Sequence, residues 1–278
     1  MYKIFFTLTF FIFVLHSWLF AAPSQEITPL SPQAKELFWI ETITLQNAQG
    51  KSYPLFIALP KHTQDKKAIF YTLDGNAFFS LLLNEIASKN KKPRALPLIV
   101  GIGHQSPLAF DRALRTYDYT PLLQGDMQKS FSGGGGIDVF LDFLIQEVKP
   151  FIHKKFGTPF KELLFGHSFG GLFVLHTLVT KPQSFSHYVC ASPSLWWGEG
   201  SFLSLPLQLK HYPKMILFTQ GSLESPKGQT TLDLKEIIKD LQNNAPNPQN
   251  ISFIEYKGQN HGSSVPYAMK SALDKLMH

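Results

Sequence analysis

Leu163-Leu164-Phe165-Gly166-His167-Ser168-Phe169-Gly170-Gly171-Leu172-Phe173-Val174-Leu175 is the stretch on which the reading of this chain turns. Leu163 to Gly166 is a short apolar run of the kind that forms a buried strand, and Phe169 to Val179 has the leucine- and valine-rich make-up of a packed helix. Between them stands Gly-x-Ser-x-Gly. This spacing needs glycine because the serine sits in a turn so sharp that side chains at the flanking positions would collide. The turn lifts the Ser168 hydroxyl above the end of the sheet. It also aims the Phe169 N–H, at a helix N-terminus, at the place where negative charge would develop on an attacked carbonyl. Ser168 is therefore the candidate nucleophile and Phe169 the first candidate oxyanion donor. A glycine-lined helix start packed on a sheet would share the outline, but the strand before and the helix after favour the reactive serine.

Strand and helix patterns alternate on both sides of this turn. Upstream, Leu37 to Gln46 and Tyr53 to Leu59 read as two strands joined by the turn Asn47 to Gly50. Ala68 to Leu73 and Leu96 to Val100 read as buried parallel strands, with helical spacing from Phe78 to Ser88 between them. Ile137 to Lys149 predicts an amphipathic helix with Phe140, Phe143, Leu144 and Val148 on one face, kinked or ended by Pro150. Downstream come strands at Tyr188 to Ala191, Met215 to Thr219 and Ile251 to Tyr256, and helices at Leu232 to Leu241 and Val265 to Met277. An antiparallel start followed by alternating strands and helices predicts a mostly parallel central sheet with helices on both faces. This is the α/β-hydrolase architecture.

In that architecture the base and acid follow the nucleophile in the order Ser, acid, His. Of the histidines after Ser168, His176 lies inside the next helix, His187 opens a strand, His211 is in a polar loop and His278 is the last residue. Only His261 follows the last strand, in Gly258-Gln-Asn-His-Gly262, where a loop can swing an imidazole over the serine. The acid should follow the strand Met215 to Thr219, and the first carboxylate there is Glu224. Asp233 and Glu236, in the next helix, and a Ser–His dyad without an acid remain alternatives. The second oxyanion donor should come from the loop after Ala68 to Leu73, where Gly75 and Asn76 each offer a backbone N–H and Asp74 can cap the following helix.

Composition is that of an ordinary globular chain, 44% hydrophobic and 17% charged. The formal net charge of +6 rests on scattered lysines, with the denser clusters in loop-like segments, so a solvated surface is expected rather than a nucleic-acid interface. Cys190 is the single cysteine and lies in an apolar stretch, which makes it a buried structural thiol and excludes an intrachain disulfide. Met1 to Lys3 followed by the apolar run from Ile4 and by Ala21-Ala22 has the layout of a secretory signal peptide, cut after Ala21 or Ala22. His16 and Ser17 interrupt that run, which argues against a retained membrane span. A single catalytic domain over residues 23–278, exported to the periplasm, is the expectation.

Several further segments carry a resemblance. Tyr71 to Asn76, Val100 to Gly103, Asp111-Arg112 through Arg115 to Pro121, Gly166 to Gly171, Ala191-Ser-Pro-Ser-Leu-Trp-Trp197 and Asn260 to Ser263 run in order over most of the mature chain. With these the chain resembles the esterase branch of α/β-hydrolases that contains siderophore trilactone esterases, including periplasmic ones that open enterobactin-type ligands. The resemblance implies a small-molecule ester substrate such as a ferric catecholate siderophore, with no metal or organic cofactor of the protein's own. A general carboxylesterase, or a binding protein that has lost turnover, are the alternatives. An anionic aromatic ligand would call on Arg112 and Arg115, spaced to share one helical face, and on Trp196 and Trp197, one in the core and one lining the cleft. A structural salt bridge with Asp111 or Asp118 is the other use for the arginines. Asp118 to Pro121 is expected as a structural turn, and Gly133 to Gly136 as a mobile loop at the cleft rim.

Overall fold

Alternation of side chains along each strand builds this molecule. The computed structural model describes residues 24–61, 64–89, 95–225, 228 and 230–278, so the expected signal segment lies outside the described residues. A short helix α1 (Pro32–Leu37) leads into β1 (Phe38–Gln46) and β2 (Ser52–Pro60), then β3 (Gln64–Thr72), α2 (Gly75–Lys89) and β4 (Leu96–Ile102). There follow α3 (Arg112–Tyr119), α4 (Asp126–Ser130), α5 (Ile137–Phe143), α6 (Lys149–Phe156) and β5 (Lys161–His167). The chain ends with α7 (Phe169–Thr180), β6 (His187–Ala191), β7 (Met215–Gly221), α8 (Leu234–Asn244), β8 (Ile251–Tyr256) and α9 (Val265–Met277).

The strands form one eight-stranded sheet in the order β1-β2-β4-β3-β5-β6-β7-β8. The β1/β2 and β2/β4 pairs are antiparallel, and every pair from β4 onward is parallel. The α/β-hydrolase architecture expected from the sequence is thus the observed one. The order places β5 between β3 and β6, so the loops leaving all three strands open at one sheet edge, the usual location for ligands in parallel sheets.

The central parallel strands β5, β6 and β7 are buried on both faces, whereas β8 is a half-buried edge strand. Leu164, Tyr188, Cys190, Ile216 and Phe218 point to one side, where they pack with α5 and α7 through Phe140, Leu172 and Phe173. Leu163, Phe165, Val189 and Leu217 point to the other, against Phe78 and Leu82 of α2 and Met269 and Ala272 of α9. Burial of each such side chain stabilises by roughly 1.5–3 kcal/mol, which is why these strands read as continuous apolar runs. The Cys190 thiol sits in the first of these cores, where burial pushes its pKa up.

Three segments depart from expectation. Pro150 neither ends nor breaks its helix: a π-helical turn at Leu144–Val148 resets the hydrogen-bond register, so the proline falls in the first turn of α6 and the helix runs on to Phe156. Asp118 to Pro121 is not simply a turn. Asp118 and Tyr119 form the buried last turn of α3, a helix started by Asp111, whose carboxylate accepts the Leu114 N–H. Gly133 to Gly136 is a close-packed seam rather than a mobile loop. Gly135 and Gly136 donate to the Thr120 and Tyr117 carbonyls, and a Cβ at Gly134 would lie 2.8 Å from the Trp197 ring. Among the described residues, no helix is long and apolar enough to cross a membrane.

Candidate active site

The turn between β5 and α7 holds Ser168 at φ 61°, ψ −116°, a conformation that costs an ordinary residue about 1–3 kcal/mol. Three backbone hydrogen bonds hold it there: Ser168 N–H to Ala191 O at 3.0 Å, Leu172 N–H to Ser168 O at 2.9 Å and Ser194 N–H to Ser168 O at 3.1 Å. The glycines earn their place by close approach. A Cβ at Gly166 would lie 2.2 Å from Gly170 O, and one at Gly171 would lie 2.6 Å from Ala191 O.

The base and acid arrive from the ends of β8 and β7. His261 Nδ1 lies 2.8 Å from Glu224 Oε2, while Glu224 Oε1 accepts the Ser192 hydroxyl and the Gly221 N–H, each at 2.7 Å. Burial pushes the Glu224 carboxyl up, but the hydrogen bonds from His261, Gly221 and Ser192 outweigh it and hold the pKa below the ordinary carboxylate value. An ionised carboxylate only accepts, so Nδ1 carries the proton and Nε2 is left free as a base. The loop is pinned from behind. The His261 carbonyl accepts His167 Nε2–H at 2.8 Å and the Ser264 hydroxyl at 3.1 Å, and Asn260 Oδ1 accepts the Gly262 and Ser263 N–H groups. Of the sequence alternatives for the acid, Asp233 instead caps α8, accepting the Lys235 and Glu236 N–H groups.

Among the described residues no hydrogen bond joins Ser168 to His261. The Ser168 hydroxyl instead lies 3.1 Å from Ser194 Oγ. Contacts of this kind often tighten only when substrate binds. The His261 side chain is 30% exposed.

The loop after β3 turns at Asp74, another residue in the left-handed region, at φ 53°. Its carbonyl accepts the Ala77 and Phe78 N–H groups, and its N–H donates to Tyr119 Oη at 3.1 Å. Gly75 and Asn76 then open α2, where first-turn N–H groups have no intrahelical acceptor. A Cβ at Gly75 would lie 2.7 Å from the Gly101 carbonyl carbon, so only glycine lets this loop press against β4. The Asn76 side chain braces the neighbouring loop, donating to the His104 and Ser106 carbonyls and accepting the His104 N–H, which leaves its backbone N–H as the group available to a ligand.

The two arginines part company. Arg115, expected at the ligand, grips Asp74 with two hydrogen bonds, Nη2 to Oδ2 at 2.9 Å and Nε to Oδ1. Burial opposes its charge, yet Asp74 holds the guanidinium more firmly protonated than usual. Its ion-pair partner is neither Asp111 nor Asp118; Asp118 is taken by Lys51, His104 and Tyr53. Arg115 thus acts as a clamp on the loop after β3 rather than standing free for a ligand, which corrects its expected role in substrate binding. Arg112, one turn back at the start of α3, is exposed and makes no ion pair with a described residue. Of the tryptophans, Trp197 is buried with Nε1–H on Pro121 O, and Trp196 is half-buried with its ring 5.5 Å from that of Phe169.

Sequence reasoning did not single out three participants: Ser192, which orients the acid; Ser194, which touches the nucleophile; and His167, which anchors the base loop. The serines lie in the Ser-Pro-Ser-Leu-Trp-Trp segment directly after β6, so position at the strand's carboxyl end was the signal available. Among the described residues, no group of three or more His, Cys, Asp or Glu could hold a metal ion.

Fold and site together define a serine hydrolase of the α/β-hydrolase class. The chain belongs to the family described as "Putative esterase", whose profile matches residues 46–270. It is 36% identical to the siderophore triacetylfusarinine C esterase of Aspergillus fumigatus over 186 residues, which are 62% of this chain and 60% of that protein. The match to the ferri-bacillibactin esterase BesA of Bacillus subtilis is longer, 29% identity over 251 residues, covering 83% of this chain and 86% of that one. Among solved structures, the BES protein from Bacillus cereus superposes with a TM-score of 0.68 at 27% identity, over 91% of this chain and 98% of that one.

Proposed function

We propose that this protein is a serine esterase that cleaves the ester bonds of a siderophore, with a catecholate trilactone such as ferric enterobactin as the leading substrate. The observation that carries the proposal is the His261–Glu224 pair, held through Nδ1, with the His261 ring packed against that of His167, the residue before Ser168. In the reaction, Ser168 Oγ attacks the ester carbonyl as His261 Nε2 takes its proton. The carbonyl oxygen gathers negative charge and is held by the N–H groups of Phe169 and of Gly75 or Asn76. His261 returns the proton to the departing alkoxide, and water, deprotonated by His261, then releases the acyl group from Ser168.

The siderophore assignment draws on the printed activities of the relatives and on the rim of the site. Arg112 is an exposed cation without an ion-pair partner among the described residues, one turn from Arg115, and the Trp196 and Phe169 rings give an apolar surface beside the nucleophile. A ferric tris-catecholate is anionic and aromatic, so it is complementary to both. Iron belongs to the substrate, and opening the ring weakens its capture by removing preorganisation. We also propose export to the periplasm with removal of the first 21 or 22 residues, on the strength of the sequence of that segment.

The test is mass spectrometry of products after incubation with ferric and iron-free enterobactin, with ferric triacetylfusarinine C, and with simple acetyl esters, each alongside Ser168→Ala. Ring-opened or linear siderophore products that vanish in Ser168→Ala support the proposal. Turnover of acetyl esters that exceeds siderophore turnover by orders of magnitude would make the protein a general carboxylesterase. Tight siderophore binding without any product would make it a binding protein.

A further inference from the structure

Ser194 is buried, with 2% of its surface exposed, and among the described residues its hydroxyl has one hydrogen-bond partner, the Ser168 hydroxyl at 3.1 Å. Two hydroxyls that share a bond can donate either way. In the resting arrangement Ser168 can donate to Ser194. Once His261 closes and takes the Ser168 proton, that option ends. Ser194 then either donates to Ser168 Oγ or leaves a buried hydroxyl unpaired, which costs about 1–3 kcal/mol. We infer that Ser194 is a further catalytic residue: its O–H donates to Ser168 Oγ throughout turnover and favours release of the acyl group from that oxygen. The inference rests on the esterase reading of the site.

The stage at which the bond matters follows from what Ser168 Oγ is at each step. In the free enzyme it is a hydroxyl oxygen, a good acceptor, so Ser194 stabilises the starting state of acylation about as well as its transition state. In the acyl-enzyme it is an ester oxygen, a poor acceptor. As deacylation proceeds, water attacks, its proton passes to His261, the C–Oγ bond breaks and the same proton returns to Oγ. The electron pair of the breaking bond collects on Oγ, and the hydrogen bond from Ser194 strengthens with it. Only an interaction stronger in the transition state than in the ground state accelerates a step, so the effect falls mainly on deacylation. Ser194 itself gains and loses no proton overall.

The backbone separates this role from mere support. The Ser194 N–H holds the Ser168 carbonyl at 3.1 Å, a contact that survives removal of the side-chain oxygen. Ser194→Ala therefore keeps the turn while deleting the donor, and Ser194→Cys keeps the side-chain volume with a weak donor. The experiment follows p-nitrophenyl acetate turnover together with intact-mass measurement of the fraction of chain acylated at steady state. For Ser194→Ala, kcat should fall about tenfold, the scale of one hydrogen bond to a developing charge, with KM falling alongside and the acylated fraction rising above wild type. Should the alanine variant fail to fold by thermal melt, Ser194→Cys carries the same test. An unchanged kcat, or a fall in kcat with the acylated fraction level or lower, overturns the inference, since a serine merely misplaced would acylate slowly. Failure of the esterase reading looks different: wild type would show no acylated Ser168 and no turnover.

Discussion

Replacing Arg115 by methionine takes the cation away from a carboxylate that has almost no access to water. Asp74 is 1% exposed, and the guanidinium meets it through both Nε and Nη2. Breaking a buried pair from one side leaves the other charge uncompensated, which destabilises by about 3–5 kcal/mol. Asp74 is also the residue whose carbonyl starts α2, and its neighbours Gly75 and Asn76 carry the N–H groups proposed for the oxyanion. Displacing one such donor lowers kcat by roughly 10²- to 10³-fold. Urea unfolding should thus place Arg115→Met about 3 kcal/mol or more below wild type, and an activated ester should show the loss in kcat with little change in KM. The double variant Asp74→Asn/Arg115→Met removes the stranded charge, and asparagine tolerates the left-handed backbone, so stability should recover by about 1–3 kcal/mol. If Arg115→Met keeps wild-type stability and instead raises KM for an anionic siderophore, the clamp is wrong and Arg115 belongs to the ligand after all.

Other consequences can be checked more briefly. Glu224→Gln replaces the acceptor that fixes the His261 tautomer, and kcat should fall by about 10²-fold or more, read with any ester the wild type turns over. Because the folded state depresses the Glu224 pKa, the stabilisation it lends is present above the unfolded carboxylate range and fades as pH falls through the folded value; acid unfolding of Glu224→Gln should lack that component. His187 is 6% exposed and burial, with Lys161 and Lys214 nearby, lowers its pKa from 6.5 to about 4. The unfolded chain therefore binds this proton first, and stability should decline between pH 6.5 and about 4 by up to about 3 kcal/mol. His187→Asn, which keeps a hydrogen-bonding group beside the Ser186 hydroxyl, should flatten that window in urea melts taken across the range. Gly166→Ala would drive a Cβ to 2.2 Å from Gly170 O, a backbone atom with nowhere to go, and should destabilise by at least 1–3 kcal/mol while abolishing turnover.

Much of this molecule was legible in one dimension. Strand and helix periods are local, and the central parallel strands are apolar on both faces, so β5 to β7, α7 and α9 could be placed to within a residue or two. The Gly-x-Ser-x-Gly spacing marks a turn that closes Gly166 to any side chain, while a Cβ at Gly170 would meet only ordinary contacts. His261 and Glu224 were reachable because the fold dictates which loops follow which strands. Helix α3 was harder to read: its mean composition is polar, and its burial comes from Thr116, Asp118 and Tyr119, which look like surface residues until their partners are known.

From sequence alone came the architecture and the candidates for nucleophile, base and acid, because each depends on chain order and on backbone sterics that neighbouring residues dictate. Tertiary structure alone decided which arginine is spent on Asp74, which tryptophan is buried, that Ser192 holds Glu224, and that Ser194 rests on Ser168. Those outcomes depend on pairings across tens of residues in a dry interior. There a charge or hydroxyl must find whichever partner the folded chain brings within about 3 Å, and no local pattern encodes that choice.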